Sequence, residues 1–419
     1  MSQSVLGGAM LVAGTAIGAG MLALPLTVGL NGFAISSLIM FAVFGFMLAT
    51  LFLLLEASLR YQKDDQAHII SLSGYYLGKY AKLASWICFL IVLMAACTAY
   101  LTAGGQAIDH MIQGLGLNTD NIASSFSISP DVFFMCSFFV VFITIILFKP
   151  HWLDQINIIL MVCLIYSFVM MCLSTLGQAQ PRYLTVLPKS TEFIMPSIPI
   201  VLMAFTSHII LPTMRQYINN NLQSLIKILL IGSLIPLACY IIWNSVILSV
   251  IPLDTLDNIH QQSGDALDNF IQILKGNTGD ILYFLCQCFM FFALATSYLG
   301  ASLSLTDFLK DGLNHIIPRH KHHVYLALTY LPPLLFALLF NQFVKILMLA
   351  GIMLTLLYGV FPILMVWVAR YRHKTASQYV FPGGRPALIF LLIISILLLI
   401  IPTYLVLFPF IHQLLIGTS

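Results

Sequence analysis

The sequence predicts an all-helical integral membrane protein of eleven spans, built as two five-span units of opposite topology with one further span at the C-terminal end. Three observations carry that prediction: the composition, the number of apolar segments, and two segments five spans apart whose backbone cannot run as an unbroken helix. Of 419 residues, 60% are hydrophobic and 8% charged, far outside the averages for soluble domains. Eleven segments are long and apolar enough to span a bilayer, at about 6–28, 34–59, 83–108, 132–148, 156–176, 194–217, 225–250, 281–308, 324–340, 343–369 and 387–410. Only Asn341-Gln342 parts the ninth from the tenth.

The first segment contains Gly14-Thr15-Ala16-Ile17-Gly18-Ala19-Gly20-Met21-Leu22-Ala23-Leu24-Pro25. Glycine costs a helix backbone entropy and proline removes a donor, so a continuous helix is disfavoured here. Broken backbone at membrane depth is tolerated only where it is buried in protein or lines a cavity. Small residues that let helices pack closely are the competing explanation. The sixth segment repeats the pattern, with Pro196-Ser197-Ile198-Pro199, then Phe205-Thr206-Ser207-His208, then Pro212. Interrupted segments at matching places in two halves point to a binding site near the midplane of the membrane. Half-helix N-termini offer N–H groups to an anion, and unwound carbonyls receive cations. Five is odd, so the second unit enters from the other side, which gives an inverted repeat. The expected divisions are 1–180, 181–370 and, for the eleventh helix, 371–419.

Orientation follows from lysine and arginine. With the N-terminus inside, inner connections or segment ends hold Arg60, Lys63, Lys79, Lys82, Lys149, Arg215, Lys227, Lys310, Arg319, Lys321, Arg370, Arg372, Lys374 and Arg385. The outer ones hold Arg182, Lys189, Lys275 and Lys345. Fourteen against four places the N-terminus in the cytoplasm and the C-terminus outside. Met1–Ser4 lacks a basic n-region, so the first segment is expected to be retained. No connection is long enough to fold alone. Leu72, Tyr75, Tyr76 and Leu77 give the link 61–81 an apolar face suited to a short interfacial helix. The external link 251–280 carries Asp254, Asp257, Asp265, Asp268 and Asp280, a solvated acidic surface or a lid. The eight cysteines all fall in apolar segments and read as packing residues. Cys286 and Cys288 sit two apart on a helix and point to different faces.

Gly14–Pro25, with Leu53-Leu54-Leu55-Glu56 ending the second span, resembles the bacterial aromatic amino acid permeases, most closely the tyrosine-specific transporters. The resemblance continues through Gly232-Ser233-Leu234-Ile235-Pro236, Ala293–Gly300, Leu331-Pro332-Pro333 and Gly383-Gly384-Arg385-Pro386, in order along nearly the whole chain. It implies membership of the amino acid–polyamine–organocation superfamily, the LeuT-type fold, and uptake coupled to a cation gradient across the bacterial inner membrane. One departure stands out. Where the family carries Phe-Gly-Phe-His, this chain has Phe205-Thr206-Ser207-His208, closer to patterns in eukaryotic amino acid transporters of the same superfamily.

An amino acid zwitterion needs donors for its carboxylate, acceptors for its ammonium and a pocket for its side chain. Backbone N–H groups around Gly18, Ala19 and Gly20, where missing side chains permit close approach, are the candidate carboxylate site. Carbonyls near Thr15 and Ala16, with those of Phe205 and Thr206, are candidate ammonium acceptors; Ser207 lies in the same break. Phe205 is either a gate over the substrate or a packed core aromatic. His208 either stabilises the unwound turn through hydrogen bonds or serves substrate and proton. Cys97 and Tyr100 of the third span are candidates for the side-chain pocket. Glu56 lies four residues before Arg60, an ion-pair spacing, and is otherwise a proton-carrying candidate; Asp307 and Lys310 pose the same choice.

No selectivity-filter repeat, HExxH or GxSxG is present, which argues against a channel and an intramembrane enzyme. No strand precedes Gly14–Gly20, which argues against a phosphate loop. The expected function is therefore import of an amino acid, tyrosine-like, with lipid as the other partner and no nucleic acid, obligate protein partner, metal or cofactor beyond the coupling ion. A sodium-coupled symporter of neutral amino acids and a transport-like receptor are the alternatives. The family resemblance implies a proton, with Glu56 and His208 placed to carry it. Thr296-Ser297 resembles the hydroxyl pair that holds sodium in LeuT-type symporters, unless both simply bond the preceding helical turn. The charge bias has a direct test. Asn118→Cys and Ser377→Cys, each in a cysteine-free background, are expected to react with an impermeant maleimide from opposite sides; labelling from one side removes the eleven-span topology.

Overall fold

The computed structural model describes residues 5–61, 68–114, 116–148, 153–188, 191–218, 221–257, 265–313, 316–318, 321–340 and 342–407. Lys63, Lys149, Lys189, Arg319 and Asn341, used above for topology, lie outside the described residues, as does the end of the expected eleventh span from 408. Every regular element among the described residues is helical. Ten helical stretches among them are long and apolar enough to cross a membrane.

The first expected span is two short helices, α1 (Val5–Ala16) and α2 (Ala19–Thr27), parted at Ile17-Gly18. A 3-10 turn, Gly29–Asn31, joins α2 to α3 (Gly32–Arg60). The link after α3 holds α4 (Ile69–Leu77), the short helix expected from its apolar face. There follow α5 (Lys79–Gly114), α6 (Thr119–Ser124), α7 (Pro130–Phe148), α8 (Leu153–Thr175) and α9 (Pro181–Leu184). The sixth span is again broken: α10 (Ile194–Ala204), a 3-10 turn at His208–Ile210, and α11 (Leu211–Tyr217). After it come α12 (Leu222–Val250), α13 (Leu253–Asp257), α14 (Ala266–Asn277), α15 (Asp280–Leu313) and α16 (His322–Leu339). The tenth span runs through α17 (Phe343–Leu354), a π-helical turn at Thr355–Val360, α18 (Phe361–Trp367) and a second π turn at Val368–Arg372. The last described helix is α19 (Gly384–Pro402), with a final π turn at Thr403–Leu407.

The chain forms two compact units. The first takes Met1–Val92, Lys189–Trp243 and Met348–Ser419; the second takes Leu93–Pro188 and Asn244–Leu347. In the first unit α10 packs on α2, α3 and α19, while α18 packs on α3. Between apolar helices in lipid no hydrophobic gradient drives association, so close van der Waals fit must. Gly232 shows how close: a Cβ there would fall 2.6 Å from Cβ of Val12 and 2.8 Å from the Ala9 carbonyl oxygen. Only glycine lets α12 approach α1 this far.

At the end of α3 the first unit buries Glu56 completely. Its carboxylate accepts from Arg60 Nε (2.9 Å), Arg370 Nε (2.7 Å) and the Phe381 amide (2.8 Å), and from Arg370 Nη2. Arg370 Nη2 also donates to the Phe381 carbonyl at 2.8 Å, and Arg60 Nη1 donates to that of Thr375. The i,i+4 spacing of Glu56 and Arg60 thus forms an ion pair, inside a larger cluster that fastens 375–381 to α3. By contrast, the Asp307–Lys310 pair, at 3.2 Å, leaves the Asp307 side chain 75% exposed.

The second unit is organised on α15, which packs against α8 and α16. Phe138 and Phe142 of α7 set their rings 5.6 and 5.7 Å from that of Tyr298, and Phe168 meets Phe289 at 5.4 Å. Asp265 caps α14, accepting from the Leu267 amide at 3.3 Å and from Gln106 Nε2 at 3.1 Å. Burial pushes its carboxyl up to about 6, against the downward pull of those two hydrogen bonds.

Removing one partner from a buried ion cluster leaves uncompensated charge, at a cost of about 3–5 kcal/mol. Glu56→Gln, which leaves two guanidinium groups facing an amide, is expected to lower the melting temperature of the purified protein in detergent well below that of Asp307→Asn. Equal melting of the two variants would show that the cluster contributes little.

Candidate functional site

Both helix breaks lie in the first unit, and their backbone groups can be followed one by one. A helix leaves its last four carbonyls without intrahelical donors, and in a membrane each must find another. At the end of α10 three have a donor of their own and the fourth shares one. Val201 O accepts the Phe205 amide (3.2 Å), Leu202 O the Thr206 hydroxyl (2.9 Å), and Met203 O the Thr206 amide (3.1 Å). Ala204 O accepts the Tyr240 hydroxyl at 2.7 Å. The same hydroxyl lies 2.6 Å from Ala16 O, the final carbonyl of α1. Tyr240 is fully buried on α12. A phenol has one hydrogen, so it donates to one of these carbonyls at a time and withholds that hydrogen from the other. Two negative half-helix ends therefore converge on one side chain.

Beside this junction is a cavity of about 10 Å³, the room one water requires. Ala16, Phe205, Ser207 and Ser233 line it, with Phe44, Met47 and Leu51 of α3. Phe205 closes it: its ring meets Phe44 edge-on at 5.7 Å and lies 5.1 Å from Tyr240. The Ser233 hydroxyl is buried with no partner among the described residues, and buried polar groups of this kind call for one. Every side chain around the cavity is uncharged.

Of the residues singled out in the sequence, Ala16, Phe205 and Ser207 come together here. Thr206 spends its hydroxyl on its own helix. Thr15 is exposed and donates to Val12 O at 2.7 Å. Gly18 precedes α2 in extended backbone, with φ −163°, and its carbonyl accepts the Met21 amide at 3.0 Å. Ala19 begins α2; its side chain lies outside the described set. Gly20 faces α10, where a Cβ would stand 3.1 Å from Cα of Ala204. It serves the close approach of the two half-helices.

His208 is buried away from the cavity lining. Its Nε2 and the Thr50 hydroxyl are 3.0 Å apart, and its ring stacks on Tyr358 at 4.6 Å. Its Nδ1 has no partner among the described residues. Cys97 and Tyr100 are buried on α5 in the second unit. There Thr296 donates to Phe292 O (3.0 Å) and Ala293 O (3.1 Å) of its own helix; Ser297 beside it is half-buried.

Tyr240, Ser233 and Thr50 were not singled out in the sequence. For Tyr240 one signal existed: it lies one turn after Pro236 in a segment already marked by Gly232–Pro236, where proline takes an N–H from the helix.

These features define a multi-pass helical membrane protein in which two broken helices meet at a candidate site. The tryptophan/tyrosine permease family model matches residues 1–402, and the chain belongs to that family. It is 30% identical over 407 residues to tyrosine-specific transport system 1 of Haemophilus influenzae, covering 96% of this chain and 97% of that protein. It is 26% identical to tyrosine-specific transport system 2 of the same organism, with the same coverage. To the tryptophan-specific transport protein of Shigella flexneri it is 28% identical, over 94% of each chain. The chain is accordingly an amino acid permease and not an enzyme.

Tyr240→Phe removes the hydroxyl that both half-helix ends share. We expect it to weaken substrate binding at least about tenfold and to cost about 1–2 kcal/mol of stability, measured by calorimetric titration and melting. Wild-type affinity in this variant would dissociate Tyr240 from the site.

Proposed function

We propose that this permease imports an aromatic, tyrosine-like amino acid across the bacterial inner membrane by proton symport with alternating access. The convergence of the Ala16 and Ala204 carbonyls on Tyr240, beside a cavity shut by Phe205, is the observation that carries this reading. The substrate ammonium takes the carbonyl from which the phenol withholds its hydrogen, and N–H groups at the start of α2 take its carboxylate. A cavity of about 10 Å³ cannot hold an amino acid, so Phe205 must swing away from Phe44 to admit one. The relatives named for tyrosine and tryptophan transport support an aromatic side chain.

The LeuT-type five-plus-five repeat, with halves 1–180 and 181–370 and an added helix in 371–419, belongs to the same proposal. It is supported by how the chain supplies its units: 1–92 and 189–243 go to the first unit and the stretches after them, 93–188 and 244–347, to the second, while 348–370 of the second half return to the first. The N-terminus lies in the cytoplasm and the C-terminus outside, as the charge bias requires. For coupling, His208 with Thr50 beside the sixth-span break is the proton candidate. Glu56 has its oxygens committed to Arg60, Arg370 and Phe381, which leaves His208 as the titratable group beside the breaks; Thr296 donates its hydrogen to its own helix and keeps its oxygen lone pairs, so sodium coupling through Thr296 is the alternative.

Proteoliposomes with a panel of amino acids test the reading. Uptake of tyrosine should follow an inward proton gradient at constant sodium, show counterflow, and collapse with a protonophore. Binding without counterflow would make the protein a receptor. Accumulation driven by sodium alone and lost in Thr296→Ala would overturn proton coupling. Phe205→Ala should weaken tyrosine transport about tenfold and alanine transport little; equal loss would reduce Phe205 to core packing.

A further inference from the structure

The second unit holds a larger cavity, about 520 Å³, where the ends of α5, α6, α7 and α14 meet the start of α15. Its size is that of a small-molecule site. Asp109, Asp120, Asp131 and Asp268 line it with a single lysine, Lys275, so the formal charge of these side chains stays at two negative even with His110 protonated. This is more than a solvated acidic rim. Asp109 is only 6% exposed and is met by the neutral amide of Gln113 at 3.0 Å, with no cation bonded to it among the described residues. A buried carboxylate of this kind is costly unless a positive charge joins it. His110, next in sequence, is already engaged with Asp268 at 2.7 Å.

Tyr283 gives an independent sign. It is 4% exposed and lines the same cavity, and its hydroxyl has no partner among the described residues. The Lys275 ammonium lies 5.9 Å from its ring, within the range at which an aromatic face attracts a cation. The cavity therefore already draws one primary ammonium, supplied by the chain itself. A metal ion fits poorly, because no three His, Cys, Asp or Glu among the described residues stand close enough to hold one. Carboxylates spread around a roomy cavity, with an aromatic ring that carries an orphan hydroxyl in its wall, suit an organic cation.

We infer that this cavity is a binding site for a primary ammonium compound, distinct from the site at the helix breaks, with Asp109 as its buried counter-charge and Tyr283 as its aromatic wall. The site stands on the second unit alone and does not rest on the transport reading. Its ligand is a free amine or the ammonium group of an amino acid.

Full-length protein in phosphatidylcholine nanodiscs, titrated calorimetrically with 1,4-diaminobutane and with n-butylamine, tests it. Saturable binding is expected, tighter for the diamine because a second carboxylate engages it. Asp109→Asn should weaken it at least about tenfold. Tyr283→Phe, which removes only a hydroxyl without a partner, should weaken it a few-fold, while Asp109→Glu and the exposed Asp307→Asn retain it. Displacement of the diamine by tyrosine in the wild type identifies an amino acid as the source of the ammonium; failure to displace identifies a free amine. Absence of saturable binding overturns the inference. So does undiminished binding in folded Asp109→Asn, or full displacement by magnesium chloride at matched ionic strength.

Discussion

A carbonyl that has lost its helical donor inside a membrane has no water to turn to, and this constraint shapes the first unit more than any other. Breaking a helix twice creates two sets of such carbonyls. The chain answers with the smallest means at hand: Thr206 turns its amide and hydroxyl back onto α10, and Tyr240 reaches the last carbonyl of both α1 and α10. Because a phenol has a single proton to give, satisfaction is complete at one break only at the expense of the other. The two carbonyls thus compete for one hydrogen beside a cavity with room for a single water.

That economy explains why the cavity at the breaks has no charged side chain. Backbone dipoles at half-helix ends present partial charge without burying a fixed ion in the membrane. The first unit holds its one fully buried carboxylate among the described residues elsewhere, at Glu56, where each oxygen is matched by a donor. Neutral dipoles at the helix breaks, and saturated charge where α3 is fastened to 375–381, are two answers to the same desolvation cost.

Much of this was legible in the sequence because it is local. Glycine and proline mark the breaks at Ile17-Gly18 and around Phe205–Ser207, and the four-residue step from Glu56 to Arg60 makes a pair wherever a helix forms. Gly20 was legible only in part: sequence shows that space is needed there, whereas the fold shows Ala204 filling it. Tyr240, Arg370 and the Phe381 amide were not legible. Each acts on a residue far away in the chain, and no periodicity reports which distant helix will supply a donor. The outer acidic link was read as a surface or a lid; that Asp109 and Tyr283 complete a cavity with Asp268 depends on how α5, α14 and α15 meet.

The Glu56 cluster also bears on how the protein is made. Arg370 lies 314 residues after the carboxylate it binds, so on a ribosome working from the N-terminus Glu56 enters the membrane long before that guanidinium exists. Arg60, emerging four residues later on the same helix, supplies a counter-charge at once. In chain order Arg60 is thus the first of the Glu56 partners to be made, and Arg370 and the Phe381 amide come last. Assembly order, and not only final stability, is written into the spacing of Glu56 and Arg60.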